Sequence, residues 1–315
     1  MAALKHSWRA GGLAALDLAM QSAAQAVFSR RRWVGVAILA ALATTPRCLA
    51  LALSALVAAE LTVRALRVQN AYVPYGFDAI LCGVAIGRGY AFGPESCLFA
   101  SALGAGSVLV TAALTGLSAQ LGYLPVLTIP FVLVAWFAAG LGPSLPLAAA
   151  APGLDTWSAS MPPLVALALQ SLGSFVLLPD VRAGACVLFA LALHSRIATV
   201  LGTGVVVLTL SMFQFARAPL ADSALQLIAC SGGLTAIAIG GVWLIPSGSA
   251  SAVAFGSALL STFFALGIAT PLARLGLPLD FVPYQLAVLS VLSALRVRAS
   301  TRAPRLATVA AETPE

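Results

Sequence analysis

Apolar runs separated by short polar, Pro- or Gly-containing breaks follow one another along almost the whole chain. They lie near residues 33–45, 48–63, 79–93, 97–120 and 124–150, and then near 161–178, 183–193, 197–216, 224–246, 249–271 and 281–295. Several runs are shorter than the roughly 20 residues that a straight helix needs to cross a bilayer. Because lipid cannot hydrogen bond to an interrupted backbone, these shorter runs predict half-spanning segments that are buried in protein or line a polar cavity.

The composition supports a membrane location for nearly the whole chain. Of 315 residues, 61% are hydrophobic and only 9% are charged, and the mean hydropathy is +1.01. An ordinary soluble domain has about 25% charged residues. We therefore expect an all-α integral membrane protein of about ten spans, which would use roughly 200 residues. We expect the remainder to form loops, two short tails and half-spanning segments, which leaves nothing for a separate ATPase, kinase or nucleic-acid-binding domain.

Charge and reactive residues exclude several other functions. The net charge is +7, but the basic residues lie between apolar runs and are not interleaved with surface aromatics, which argues against a nucleic-acid partner. The five cysteines form no CxxC pair and are expected to be packing residues. HExxH and GxSxG motifs are absent, so the sequence predicts neither an enzyme nor a metal site or cofactor.

The chain contains an internal duplication, seen as anchors that occur twice in the same order. Two anchor pairs are separated by 149 positions and the later ones by 153, so one four-residue shift relates them. The pairs are Gly35/Gly184, Arg47/Arg196, Leu81/Leu234, Pro125/Pro278 and Pro130/Pro283. The duplication predicts a first repeat over 15–155 and a second over 156–295, between tails at 1–14 and 296–315.

Basic residues near both ends predict the orientation. They are Lys5, Arg9, Arg30, Arg31 and Arg32 at the start, and Arg296, Arg298, Arg302 and Arg305 at the end. By the positive-inside rule both termini face the cytoplasm, which requires an even number of crossings. Two halves of five crossings satisfy this, and an odd number in each half makes the repeats inverted. Inverted repeats place a shared site near the bilayer midplane, as in pores and transporters.

The segment LPVLTIPF at 124–131 resembles the LPxLTxPF signature of the urea transporter family. Its neighbours fit too, since AQAVF at 24–28 followed by Gly35 resembles GQVxF…G, and YGFDAILCG at 75–83 resembles YGFNGxLxG. The second half has weaker copies in the same order: GSFVL at 173–177, HSR at 194–196, CSGGLTAIAIGG at 230–241 and LPLDFVPY at 277–284. The resemblance covers roughly residues 15–295.

This resemblance implies a fold and a function. The family has two inverted repeats of five transmembrane helices, each with a re-entrant half-helix, and it assembles as a trimer with one pore per subunit. Its members pass urea through a slot lined by aromatic and apolar side chains and by a ladder of oxygens. For this chain it implies a multi-pass protein of the plasma membrane, such as a bacterial inner membrane, with urea or a similar small neutral amide as its solute.

The resemblance also implies which residues contact the solute. In the first half they are the oxygen-bearing Gln25, the slot residues Phe28, Phe77 and Leu81, and the ladder hydroxyl of Thr128. In the second half they are Ser174 where Gln or Glu is usual, Leu177 and Cys230 where aromatics are usual, Leu234, and Phe281 in place of the second ladder Thr. The first half is therefore intact, whereas the second has lost polar and aromatic groups.

Several of these residues have a second interpretation. Phe28 and Phe77 suit the pore but also lipid-facing or core positions, and Gln25 and Thr128 also suit structural hydrogen bonds. Asp78 replaces the family's Asn, and it is either a helix cap or a titrating group. The leading functional hypothesis is passive conduction of urea. The alternative is ion- or proton-coupled transport, with the proton carried by Asp78 or Glu60.

Overall fold

The computed structural model describes residues 15–67, 75–120, 124–151 and 157–297, and these are almost entirely helical. Its helices are α1 (15–24 within the described residues), α2 (Arg32–Ala43), α3 (Pro46–Ala65), α4 (Tyr75–Gly89), α5 (Pro94–Gln120), α6 (Ile129–Leu141), α7 (Pro163–Gly173), α8 (Val181–His194), α9 (Arg196–Phe215), α10 (Asp222–Ile237), α11 (Gly248–Arg274) and α12 (Val282–Val297). A π-helical segment, Ala238–Trp243, continues α10. The predicted tail 1–14 and residues 298–315 of the other lie outside the described residues.

The order and lengths of the helices repeat between the two halves. A 3₁₀ turn, Gln25–Val27, joins α1 to α2, and the equivalent turn Ser174–Val176 joins α7 to α8. Helices α3 and α9 both have 20 residues, and α5 and α11 both have 27. Helices α1–α6 therefore correspond in order to α7–α12.

The glycine pair Gly35 and Gly184 has the same environment in both halves. A Cβ atom built on Gly35 would lie 1.8 Å from the carbonyl oxygen of Met20, and one built on Gly184 would lie 1.8 Å from that of Leu169. Small residues allow membrane helices to approach this closely. The crossing of α1 over α2 therefore recurs where α7 crosses α8.

The two halves contact each other reciprocally. Helix α2 packs on α8, and the two 3₁₀ turns touch. The first turn also contacts α8, while the second contacts α2. Each turn thus contacts, in the other half, the helix equivalent to the one that follows it in its own half. Halves related by a two-fold axis make reciprocal contacts of this kind.

One of the long apolar helices is mostly buried, whereas the other four are buried to a much smaller extent. Of the long apolar helices, α10 with its π-helical continuation has 83% of its most apolar window buried, whereas α3, α5, α9 and α11 have 28–33%. The apolar outer faces of those four match a lipid environment. Most side chains on α10 are therefore interior, whereas Asp222 and Ser223 at its start are exposed.

Five helices in the described residues are long and apolar enough to cross a membrane: α3, α5, α9, α10 with its continuation, and α11. Helices α7 and α8 pass the same test as one segment bent by 72°, which gives up to six, and α2, α6 and α12 are shorter apolar helices. The prediction of an all-helical integral membrane protein is confirmed. The number of ten crossings stays a prediction.

Candidate functional site

Two equivalent chain reversals hold four of the predicted site residues. The turn Gln25–Val27 ends at Phe28 with φ 59°, and the turn Ser174–Val176 ends at Leu177 with φ 61°. Left-handed backbone is uncommon for residues other than glycine and costs of the order of 1–3 kcal/mol. Backbone bonds hold each reversal, from Phe28 N to Gln25 O (2.9 Å) and from Leu177 N to Ser174 O (3.0 Å). Since the two turns touch, this pair of reversals lies where the halves meet.

The polar side chains at the two reversals differ in their hydrogen bonding. The Gln25 side-chain oxygen Oε1 is enclosed and has no hydrogen-bond partner among the described residues. In the second half, Ser174 Oγ donates to the backbone oxygen of Gln170 at 2.9 Å. A buried acceptor without a partner costs about 1–3 kcal/mol. Gln25 therefore keeps an unused acceptor, whereas the Ser174 hydroxyl hydrogen is committed to its own helix.

The next four predicted site residues lie on the interior helices α4 and α10. The exposed fractions are 8% for Phe77 and 0% for Leu81 on α4, and 4% for both Cys230 and Leu234 on α10. Within each helix the two residues are four positions apart, so they share one face. Because Phe77 is buried inside the protein, the lipid-facing alternative is wrong for this residue, while its burial is compatible with both a core and a pore position.

The segments 124–136 and 277–285 meet across the boundary between the halves. Gln285 Nε2 donates to Thr128 Oγ1 at 2.8 Å, and Trp136 Nε1 donates to the Pro278 carbonyl at 2.9 Å. The ring of Phe281, which is 3% exposed, packs edge-on against Phe131 with centroids 5.8 Å apart. The predicted ladder residue Thr128 is thus bound to the second half, and Phe281 fills the equivalent place with an apolar ring.

Two residues of this boundary were missed by the sequence analysis. Tyr284 is 3% exposed, and its ring centroid lies 6.4 Å from that of Phe28. Gln285 is 5% exposed and bonds to Thr128. Signals for both exist in the sequence: Tyr284 is the repeat equivalent of Phe131, and Gln285 is a polar residue within an apolar run.

Asp78 lies beside the start of α6. Its side chain is enclosed, with Oδ2 at 3.5 Å from Thr111 Oγ1 and with the backbone N–H of Phe131 interacting with the carboxylate. Phe131 is in the first turn of α6, whose N-cap residue Thr128 forms no side-chain capping bond. A carboxylate near the N-terminus of a helix is favourable for the helix dipole. The position therefore favours capping over titration.

Two groups of predicted site residues emerge from these contacts. The contacts between halves involve Phe28, Thr128 and Phe281, and the touching turns carry Gln25, Ser174 and Leu177 to the same boundary. The remaining four occupy the interior helices α4 and α10. One continuous path through all ten stays a prediction.

The comparisons with known proteins identify the family of the chain. The family model described as urea transporter matches residues 16–296, which includes every described helix except for a residue or so at either end. No individually curated protein matches the chain. The family is one of transport proteins, not of enzymes, and the matched range includes every predicted site residue. A match over this length means that the chain belongs to the urea transporter family, and that it is an integral membrane protein of urea transport.

Proposed function

We propose that this protein is a passive, channel-like facilitator for urea or a similar small neutral amide, and that the solute passes between the two halves. The observation that carries the proposal is the enclosed, unpartnered Oε1 of Gln25 at the turn that touches the other half. A buried acceptor is costly without a partner, and a solute that donates an N–H to it removes this cost.

The chemistry of urea suits this boundary. Urea is flat, neutral and rich in hydrogen-bond groups, so it needs acceptors that replace water when it enters a narrow slot. Gln25 supplies an oxygen acceptor and Thr128 a hydroxyl, while Phe28, Phe77 and Leu81 supply apolar walls. Ions lose far more hydration free energy in such a slot, and a passive route requires sites weak enough for the solute to leave.

The finer architecture belongs to the same proposal. The two-fold relation of the halves, with an odd number of crossings in each, gives inverted repeats about an axis in the membrane plane. Both termini then lie in the cytoplasm, and the family resemblance adds a homotrimer in the plasma membrane. Reciprocal contacts of the two turns with α2 and α8 support the two-fold relation.

The alternative is proton-coupled transport through Asp78 or Glu60. One observation favours it, because Asp78 Oδ1 is enclosed and has no hydrogen bond within the described residues. Glu60 is less suited to this role, since its Oε1 pairs with Arg64 Nε at 2.6 Å on α3. The neighbouring Phe131 N–H and the Thr111 hydroxyl support a structural, capping role for Asp78 over this alternative.

Stopped-flow light scattering of proteoliposomes tests the proposal. We expect the purified protein to accelerate urea, formamide or acetamide equilibration over protein-free liposomes, with no dependence on an imposed pH gradient. Glycerol and ammonia serve as comparison solutes. Urea flux that requires the pH gradient would support coupling, and flux equal to that of protein-free liposomes for every amide would contradict the proposal.

A further inference from the structure

Gln285 is a buried amide that the family resemblance does not assign to any role. It lies four residues into α12, in the otherwise apolar run VPYQLAVL, and only 5% of it is exposed. A polar side chain at such a position in a membrane protein is costly unless it is hydrogen-bonded. Its presence therefore calls for a structural or functional reason.

The hydrogen bonding of Gln285 leaves two groups available. Its Nε2 donates to Thr128 Oγ1 at 2.8 Å, so Thr128 accepts this bond and retains its own hydroxyl hydrogen. Gln285 Oε1 forms no hydrogen bond within the described residues, and this oxygen is not fully enclosed. The pair thus offers one acceptor, on Gln285, next to one donor, on Thr128.

The position of Gln285 matches what the second half lacks. Phe281 is the repeat equivalent of Thr128, and its ring packs on Phe131 without offering an acceptor. The repeat equivalent of Gln285 is Val132, which is apolar. The first half therefore has Thr128 and, four residues later, Val132. The second half has Phe281 and, four residues later, Gln285. The polar side chain is kept but displaced by one helical turn.

We propose that Gln285 contacts the solute and takes over the role of the hydroxyl that is absent at Phe281. Together with Thr128 it recognises the edge of a primary amide, which presents a carbonyl acceptor and an N–H donor side by side. This inference rests on the proposed function and specifies its solute class. Thr128 O–H donates to the solute carbonyl, and Gln285 Oε1 accepts from the solute amide.

The test compares urea and formamide flux in proteoliposomes of the wild type and of four variants. Gln285→Met keeps the length of the side chain and removes its hydrogen bonds, and Gln285→Val copies the first half. We expect each to lower amide flux about tenfold, the effect of one lost hydrogen bond of about 1.4 kcal/mol. Phe281→Thr/Gln285→Val, which reproduces the Thr–Val order of the first half, should restore at least half of the lost flux. Gln214→Val, at an exposed position near the end of α9, is the matched control and should leave flux unchanged.

The outcomes separate this inference from the proposed function. Wild-type flux at the level of protein-free liposomes refutes both. A conducting wild type with unchanged flux in Gln285→Met and Gln285→Val refutes the role of Gln285 alone. If both single variants lose flux but the double variant does not recover it, Gln285 only supports Thr128 and does not contact the solute. If the single variants fail to fold, flux of the double variant below a tenth of wild type overturns the inference.

Discussion

The chain reversals at Gln25–Phe28 and Ser174–Leu177 have nearly the same backbone and different side-chain chemistry. Their left-handed residues differ by only 2° in φ, and each turn contacts the other half in the same way. Gln25 keeps an unused acceptor, but Ser174 is bonded to Gln170. The comparison separates two constraints. The fold requires the same backbone at both turns, whereas it does not require the same polar side chain.

The boundary between α6 and α12 shows the same separation. Thr128 and Phe281 are equivalent in the repeat, and both precede a helix that starts at the next residue. Thr128 hydrogen bonds across the boundary, whereas Phe281 packs on Phe131. Loss of the second hydroxyl is accompanied by a glutamine one turn further on. The two halves need equal backbones but not equal side chains.

The largest expected effect concerns the backbone constraint. Gly35→Ala or Gly184→Ala would place a Cβ at 1.8 Å from a backbone carbonyl oxygen, so the crossing helices must separate. We expect each variant to lose at least about 3 kcal/mol of stability, with comparable losses in the two halves. Size-exclusion chromatography and thermal unfolding in detergent measure this loss.

Gly106→Ala and Gly204→Ala are the matched controls for these variants. A Cβ at either position meets nothing within 4 Å, so both should fold as the wild type does. A severe defect in only one of Gly35→Ala and Gly184→Ala would show that the two crossings are not equivalent.

The second prediction concerns the proposed ladder hydroxyl of Thr128. Thr128→Val keeps the shape of the side chain and leaves Gln285 Nε2 without its acceptor. We expect urea flux to fall by roughly tenfold or more, since a lost partner for a buried donor costs about 1–3 kcal/mol. Stopped-flow light scattering measures the flux, and Thr203→Val on α9 is the control. Equal flux in wild type and Thr128→Val would remove Thr128 from the path.

The third prediction restores symmetry to the second half. Phe281→Thr adds a hydroxyl opposite Thr128, and we expect urea flux to rise about threefold, the effect of one weak hydrogen bond. Adding Ser174→Gln should raise it further by supplying the second large amide. Loss of the Phe131 contact should cost about 3 kcal/mol of stability. Flux measurements normalised to folded protein separate these effects, and unchanged flux would assign the central barrier to the first half alone.

The smallest expected effect concerns helix capping. Asp180 caps α8 by accepting from Arg182 N at 2.8 Å and Ala183 N at 3.2 Å, whereas the equivalent Arg31 gives α2 no side-chain cap. Asp180→Ala should therefore destabilise the protein by about 1 kcal/mol. Arg31→Ala should have a smaller effect, and the two melting temperatures in detergent provide the comparison. A larger loss for Arg31→Ala would contradict this account of the two helix starts.

The sequence predicted those features that depend on spacing along the chain. The 149-residue separation matched Gly35 with Gly184, and the equivalent turns and glycine crossings agree with it. It missed the side chains that matter through contacts between the halves. Gln285 and Tyr284 gain their partners Thr128 and Phe28 only after α12 packs against the first half, and no local pattern specifies that packing. A polar residue within an apolar run, such as Gln285, is the sequence signal that indicates a contact of this kind.

The central claim is that a neutral amide passes along the boundary between the halves. A cryo-electron microscopy map of the protein in lipid nanodiscs at high urea concentration tests it most directly. The account predicts density for urea between Gln25 and the Thr128–Gln285 pair, within hydrogen-bond distance of at least one of these side chains. Urea bound elsewhere in the protein, with this boundary closed and empty, would contradict it.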